Sequence, residues 1–411
     1  MNAQPKGVLA GLRLVEVSAF VAAPSGGLAL AQLGADVIRV DPPGGGLDYH
    51  RWPVTAHGDS LFWAGLNKCK RSVVIDTSTD EGRELAMALI CAPGEGAGLL
   101  LTNLSPKGWL SYEALSKRRP DLIQLTVMGT RHGGSAVDYT VNPTLGIPMI
   151  TGPAGQAEPV NHVLPAWDLI TGQMAALGLL AAERHRRCSG EGQHVKLALE
   201  DVGLAVMGHL GFIAEAQLGQ TRGRYGNELY GAFGRDFVCA DGQRIMVVAL
   251  TSKQWKALVK ATGIGEDVAK LERELGLDLG REGDRFRARE RIAALVAPWI
   301  GARRCADVAQ CFDQAGVCWS RYQSVAQLAS SAAVDPTTNS MFSRLEQPGI
   351  GIFAMPASPL DFASTGRLPP RPAPRLGEHT EEVLCGLLGL SGAEFGRLHD
   401  KGVVVSAQSR G

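Results

Sequence analysis

No apolar run in this chain approaches the roughly 20 residues needed to cross a bilayer, so no membrane span is expected. Net charge is missing too. The 41 Lys and Arg balance the 41 Asp and Glu, which leaves no global field to attract nucleic acid or a membrane surface. The eight cysteines are scattered, with no CxxC and no Cys/His cluster at zinc spacing. Neither a metal nor a disulfide framework is expected, and the thiols read as those of a reduced, cytoplasmic protein. The segment Met1–Gly7 lacks the apolar stretch of a signal peptide. No GxGxxG follows the first strand pattern, which disfavours a nicotinamide dehydrogenase. There is no internal repeat.

What is present is length, glycine and strand–helix alternation. The chain has 411 residues, more than one ordinary core, with 45% hydrophobic residues and 51 glycines. Leu12–Val17 alternates as a strand, Ala22–Gly27 reads as a turn, Leu28–Leu33 as a helix, and Asp36–Asp41 as the next strand. Ser72–Asp76, Gly98–Asn103 and Leu122–Val127 continue the strands, with a capped helix from Thr79 to Ile90. Such alternation predicts an α/β fold with a parallel sheet. Ligands then gather outside the carboxyl ends of the strands, here Ser18–Ala23, Asp76–Ser78 and Asn103–Ser105.

Further on, a helix is expected from Asp168 through Arg184, a strand over Val195–Leu199, and one helix over Glu200–Leu218. Arg222–Glu228 reads as a linker, and a smaller α+β region runs to about residue 329. A Pro-rich stretch and two helices, Thr380–Leu388 and Ser391–Lys401, end the chain. The expected division is a large domain from residues 1–221 and 330–411, with a small domain at 222–329 inserted between them.

Two constellations carry chemistry. Asp168 stands where a Pro-interrupted segment meets the long small-residue helix. By itself it reads as a helix cap. A carboxylate at a helix start is also held ionised by the helix dipole, and could attack an activated acyl group. The cluster Asn67–Ser72 places Lys68, Lys70 and Arg71 before a strand. It reads either as a solvated loop or as a phosphate site.

The order of motifs resembles that of the family III CoA-transferases. Gly11–Glu16 with Ala31–Val40 looks like their opening, Asn67–Ser72 like their NKRS loop, Ser189–Gln193 like their TGxGQ turn, and Leu376–Thr380 like their LGEHT signature. The resemblance implies a Rossmann-like large domain built from both chain ends, a smaller inserted domain, and an interlocked homodimer. It implies an acyl-CoA substrate, no cofactor beyond the CoA carried by that substrate, and no nucleic-acid or membrane partner. Asp168 matches the family's catalytic Asp. Position matches carry CoA contacts onto Val21, Ala22, Lys70, Arg71, Asp76, Asn103, Leu104 and Asp138.

The racemases of the same fold use a His–Asp pair where this chain has Val137–Asp138, so racemisation is disfavoured. Ser18–Pro24, Gly44–Tyr49, Val137–Pro143 and Val160–Asp168 resemble the branch that moves CoA between the two carboxyls of mesaconate. That branch implies a 3-hydroxypropionate type of carbon assimilation. Candidate anchors for the carboxylates are Asn161, His162, Arg224, Asn227 and Arg235. The alternatives are an intermolecular transferase using another dicarboxylate such as succinate, and a non-catalytic CoA-binding protein.

Overall fold

The computed structural model describes residues 7–407. Its contacts divide the chain into two units, one of residues 1–145, 163–214 and 331–411, the other of residues 146–162 and 215–330.

The first unit is built on a seven-stranded sheet. Its strands are β1 (Arg13–Val17), β2 (Asp36–Asp41), β3 (Arg71–Ile75), β4 (Leu99–Thr102), β5 (Ile123–Met128), β6 (Gln193–Ala198) and the short edge strand β12 (Val404–Val405). The spatial order is β12-β3-β2-β1-β4-β5-β6, parallel throughout except for antiparallel β12. Omitting β12, this is the 3-2-1-4-5-6 order of dinucleotide-binding folds, with its switch point between β1 and β4. The helices of this unit that matter below are α1 (Ala22–Gln32), α2 (Leu61–Leu66), α3 (Asp80–Ile90), α4 (Tyr112–Arg118) and α5 (Asp138–Thr144). The inner strands are buried on both faces, as central parallel strands are, with Leu14, Ile38, Val73, Leu100 and Ile123 at most 1% exposed.

The long helix of this unit, Ala166–Ser189, follows a short helix of the second unit, α6 (Ile147–Ile150), and is numbered α7. It packs on α1 through two glycines. A Cβ on Gly172 would lie 1.9 Å from Ser25 Oγ and 2.6 Å from Ala22 O, and one on Gly26 would lie 2.8 Å from Gly172 O. This contact explains a misread turn. Ala22–Gly27 is the first part of α1, and its glycines are there for close approach rather than for a bend.

The second unit holds the antiparallel sheet β7-β8-β9, with strands Phe233–Val238, Arg244–Ala249 and Cys318–Arg321, and its own core around Phe233, Ile245, Leu258 and Phe312. Residues 146–162 join this unit because Arg224 spans them, its guanidinium donating to the carbonyls of Met149, Ala157 and Glu158. The single helix expected over Glu200–Leu218 is broken into Leu199–His209 and Phe212–Gln217, because Gly211 takes a left-handed φ of 78°. The hairpin of β10 (Phe342–Gln347) and β11 (Gly351–Pro356) belongs to the first unit and has no counterpart in the sequence reading.

Candidate active site

The carboxyl ends of β1 and β4 diverge at the switch point, and Asn103 ties them together. Its Oδ1 accepts from Ala19 N at 2.9 Å, and its Nδ2 donates to Ala19 O at 2.7 Å. Leu104 N donates to Thr102 Oγ1 at 3.0 Å, which fixes the exit of β4. After β1 the chain makes a constrained bend. Phe20, which carries a Cβ, sits at φ 65°, a region that costs on the order of 1 kcal/mol or more. Phe20 N donates to Asp48 Oδ2 at 3.1 Å, and α1 begins at once, with Val21 and Ala22 buried.

Beneath this bend lies a buried ionic cluster. Arg39 bonds both oxygens of Asp41, Asp48 Oδ1 at 2.9 Å, Asn67 Oδ1 at 3.1 Å and Ser18 O at 3.1 Å. Lys70 Nζ lies 2.9 Å from both Glu16 oxygens, Pro24 O and Asn67 Oδ1. The side chains of Arg39, Lys70, Glu16, Asp41 and Asp48 are at most 1% exposed. Burial holds the Lys70 ammonium down at about 8, against the pull of Glu16. This corrects the phosphate reading of Lys70, whose donors are consumed inside the fold. Arg71 is likewise engaged, 2.5 Å from Asp36 and 3.1 Å from Glu382. The Ser78 side chain, and then Ser78 N donating at 3.0 Å, hold the Asp76 carboxyl below the usual range. Sequence reasoning gave no role to Glu16 and Arg39, and weighed Asp41 only as the acid of a dinucleotide site. The available signal was charge inside apolar strands, in Arg13–Val17 and Asp36–Asp41.

Asp168 is not the cap of its helix. The cap position of α7 falls on Pro165, whose side chain has nothing to offer, and Asp168 is the third helical residue. The capping is done from another element. Asp138 Oδ2, on the first turn of α5, accepts from Trp167 N at 2.7 Å and from Asp168 N at 3.2 Å. One turn further along α5, Asn142 accepts from Trp167 Nε1 at 3.0 Å. Trp167 is thereby fixed in the core.

The expectation of an ionised Asp168 is also corrected. Burial, and then the negative charge of Asp138, push its carboxyl up to about 7, with Arg51 pulling the other way. Withdrawal from water and a neighbouring anion outweigh the helix dipole. Asp168 and Gly172 are four apart on α7 and share a face. Since Gly172 rests on Ala22 O, Asp168 projects over the start of α1, at the switch point.

The structure brings together Asp168, Asp138, Asn103, Leu104, Val21 and Ala22 within the first unit. Asn161, His162, Arg224, Asn227 and Arg235 belong to the second. Of these, Arg224 is engaged by backbone carbonyls, Arg235 pairs with Glu228 at 3.2 Å and Glu290 at 3.0 Å, and Asn227 bonds Asp236.

Residues 9–380 match the model of CoA-transferase family III. The chain belongs to that family. It is 61% identical to the 2-methylfumaryl-CoA isomerase of Chloroflexus aurantiacus, over 97% of this chain and 98% of the relative. It is 29% identical to the succinyl-CoA:mesaconate CoA-transferase of Haloarcula marismortui, over 92% and 96%. Among solved structures, a CaiB/BaiF family protein from Brucella suis superposes with a TM-score of 0.75 at 25% identity, covering 93% of this chain and all of that one. The family membership accounts for the Rossmann-like order of the sheet.

Proposed function

We propose that this enzyme moves CoA between the C1 and C4 carboxyls of mesaconate, converting 2-methylfumaryl-CoA to 3-methylfumaryl-CoA, with Asp168 as the nucleophile. The observation that carries the proposal is the setting of Asp168. It is a desolvated carboxyl in the first turn of α7, beside Asp138 and one turn before the contact of Gly172 with the start of α1. The 61% identity to an isomerase of that name supports this choice of substrate.

In the proposed sequence, an Asp168 oxygen attacks the thioester carbonyl, and the C–S bond breaks to release CoA thiolate. The product is a mixed anhydride. The thiolate then attacks the aspartyl carbonyl, which frees the acid and leaves an aspartyl-CoA thioester. The acid's other carboxylate attacks that thioester and expels thiolate again, giving a second anhydride. Thiolate attack on its acyl carbon forms the isomeric product and restores Asp168. No proton is gained or lost overall. Each step is a covalent exchange between activated acyl groups.

The freed acid has to remain beside the enzyme's thioester, because its second carboxylate is the next nucleophile. Confinement raises the effective concentration of that carboxylate. An interlocked homodimer of cytoplasmic enzyme is part of the proposal. A helical stripe of exposed apolar side chains on α7 supports a partner copy: Ile170, Met174 and Leu177 are 37%, 44% and 59% exposed.

The test is mass spectrometry of the product isomers after mixing the protein with the C1 thioester and isotope-labelled free mesaconate. Unlabelled C4 thioester is the expected result. Labelled product would instead identify an intermolecular transferase, the reading favoured by the relative that takes succinyl-CoA and mesaconate as partners.

A further inference from the structure

The proposed reaction needs a cation for the carboxylate that is not joined to CoA. The arginines first considered for such work are already engaged, Arg224 with carbonyls and Arg235 with Glu228 and Glu290, and so are the phosphate candidates, Lys70 with Glu16 and Arg71 with Asp36 and Glu382. Arg51 differs. It lies in the exposed loop after Asp48, and its guanidinium carbon sits over two rings, 5.5 Å from the centre of Phe20 and 5.2 Å from that of Phe62. Among the described residues, its guanidinium makes no hydrogen bond or ion pair. A guanidinium held against ring faces keeps its edge donors available, and that edge matches a carboxylate.

The rings that hold Arg51 also aim it. Phe20 occupies the φ 65° bend at the end of β1, locked there by Asp48 Oδ2, which belongs to the buried cluster around Arg39. Two residues later Ala22 O abuts Gly172, and Asp168 stands one turn before Gly172 on the same face of α7. Backbone geometry thus brings the Arg51 loop and Asp168 to one crevice. In agreement, Arg51 is the cation whose charge acts on Asp168.

We propose that Arg51 receives the free carboxylate of the acyl group and so selects dicarboxylic acyl-CoA substrates. The inference rests on the CoA-transferase reading and adds the residue that sets its substrate class. One receptor serves the whole sequence. At every stage one carboxyl of the acid is reacting at Asp168, and the other, at the far end of the same molecule, takes Arg51. Exchange of the two ends between these positions converts one isomer into the other. The free acid is retained because one of its carboxylates is held at Arg51 both before and after the two ends exchange.

The test compares Arg51→Met and Arg51→Lys with the parent on three reactions: isomerisation of the mesaconate C1 thioester, exchange of succinyl-CoA with labelled succinate, and exchange of crotonyl-CoA with labelled crotonate. Arg51→Met should lose about 100-fold or more in kcat/KM on the dicarboxylic thioesters, the scale of truncating one partner of a hydrogen-bonded charge pair. Crotonyl exchange should be unchanged or faster. Arg51→Lys should recover part of the loss, which also guards against misfolding of the Met variant. Equal losses on all three substrates would overturn the proposal by making Arg51 a positioning residue for Asp168. No loss on any would overturn it outright. If the parent exchanges succinyl-CoA but does not isomerise the mesaconate thioester, the isomerase reading fails alone, and Arg51 is judged on the succinyl-to-crotonyl ratio. A parent that turns over no dicarboxylic thioester overturns both.

Discussion

Asp138 accepts the backbone N–H of Asp168, 30 positions later in the chain, while its charge acts on the Asp168 side chain. One carboxylate therefore does two things to another. It fixes where Asp168 stands, and it makes Asp168 harder to ionise. Burial, the larger cause, and this charge together push the carboxyl of the proposed nucleophile up to about 7, well above an ordinary carboxylate.

Replacing Asp138 by Asn separates these effects. The amide oxygen can still accept from Trp167 N and Asp168 N, but the charge is gone. The nucleophile has to be ionised, so kcat/KM of the parent should rise with pH through about 7, where the Asp168 carboxyl titrates. In Asp138→Asn that acidic limb should move to lower pH. A pH profile of kcat/KM checks this. A limb that stays or moves up would contradict the assigned origin of the shift.

Asp168 itself should lower stability at neutral and alkaline pH. Its folded value of about 7 is raised from an ordinary 3.8, so between those values the folded state holds the extra proton. Stability then falls as pH rises through that window, and the full cost is present above 7. Asp168→Asn should abolish turnover and stabilise the fold at pH 8 by about 1–3 kcal/mol, allowing for the solvent that still reaches the site. The gain should vanish near pH 4. Urea unfolding at the two pH values is the measurement.

How much of this was legible before the structure depends on which interaction carried it. Strand positions followed from apolar runs bounded by glycine and polar turns, and β2 was expected at Asp36–Asp41, as observed. The position of Asp168 near the start of a long helix was readable as well. Its environment was not, because Asp138 reaches it through the fold and not along the chain. Gly26 was misleading for the same reason, since its contact is with Gly172 on another helix. A glycine needed for helix–helix contact and a glycine needed for a turn look alike in sequence. The hairpin Phe342–Pro356 escaped because its alternation is interrupted by Gln347-Pro348-Gly349 and overshadowed by the Pro-rich stretch that follows.

Lys70 offers a clean contrast between phosphate binding and internal support. Lys70→Met would leave Glu16 buried with only the more distant Arg39, 3.6 Å away, as a charged partner. Loss of one member of a buried pair costs about 3–5 kcal/mol. The variant should unfold at markedly lower denaturant, with unaltered CoA affinity in its folded fraction. Arg71→Met removes pairs whose acidic members are 40% and 66% exposed, so its stability should change by no more than about 1 kcal/mol. Equilibrium unfolding and CoA titration of both variants decide the matter. A Lys70 variant that is stable yet fails to bind CoA would restore the phosphate reading.

The last prediction concerns the seam that carries Asp168. Gly172→Ala would place a methyl 1.9 Å from Ser25 Oγ and 2.6 Å from Ala22 O. Ser25 can rotate away, but the Ala22 carbonyl is backbone and part of α1, so α7 has to move instead. Overpacking of this kind costs about 1–3 kcal/mol. The activity loss should exceed what reduced stability explains, because Asp168 rides on the same face of α7 one turn away. We expect kcat to fall by about 100-fold, as for a misplacement of about 1 Å, in protein that is fully folded at the assay temperature. The double variant Gly172→Ala with Ser25→Ala separates the two contacts. Relief of the serine clash should restore some stability but little turnover, since the backbone contact that displaces α7 is still present. Full recovery of turnover in the double variant would show that the serine, not the helix seam, sets the position of Asp168.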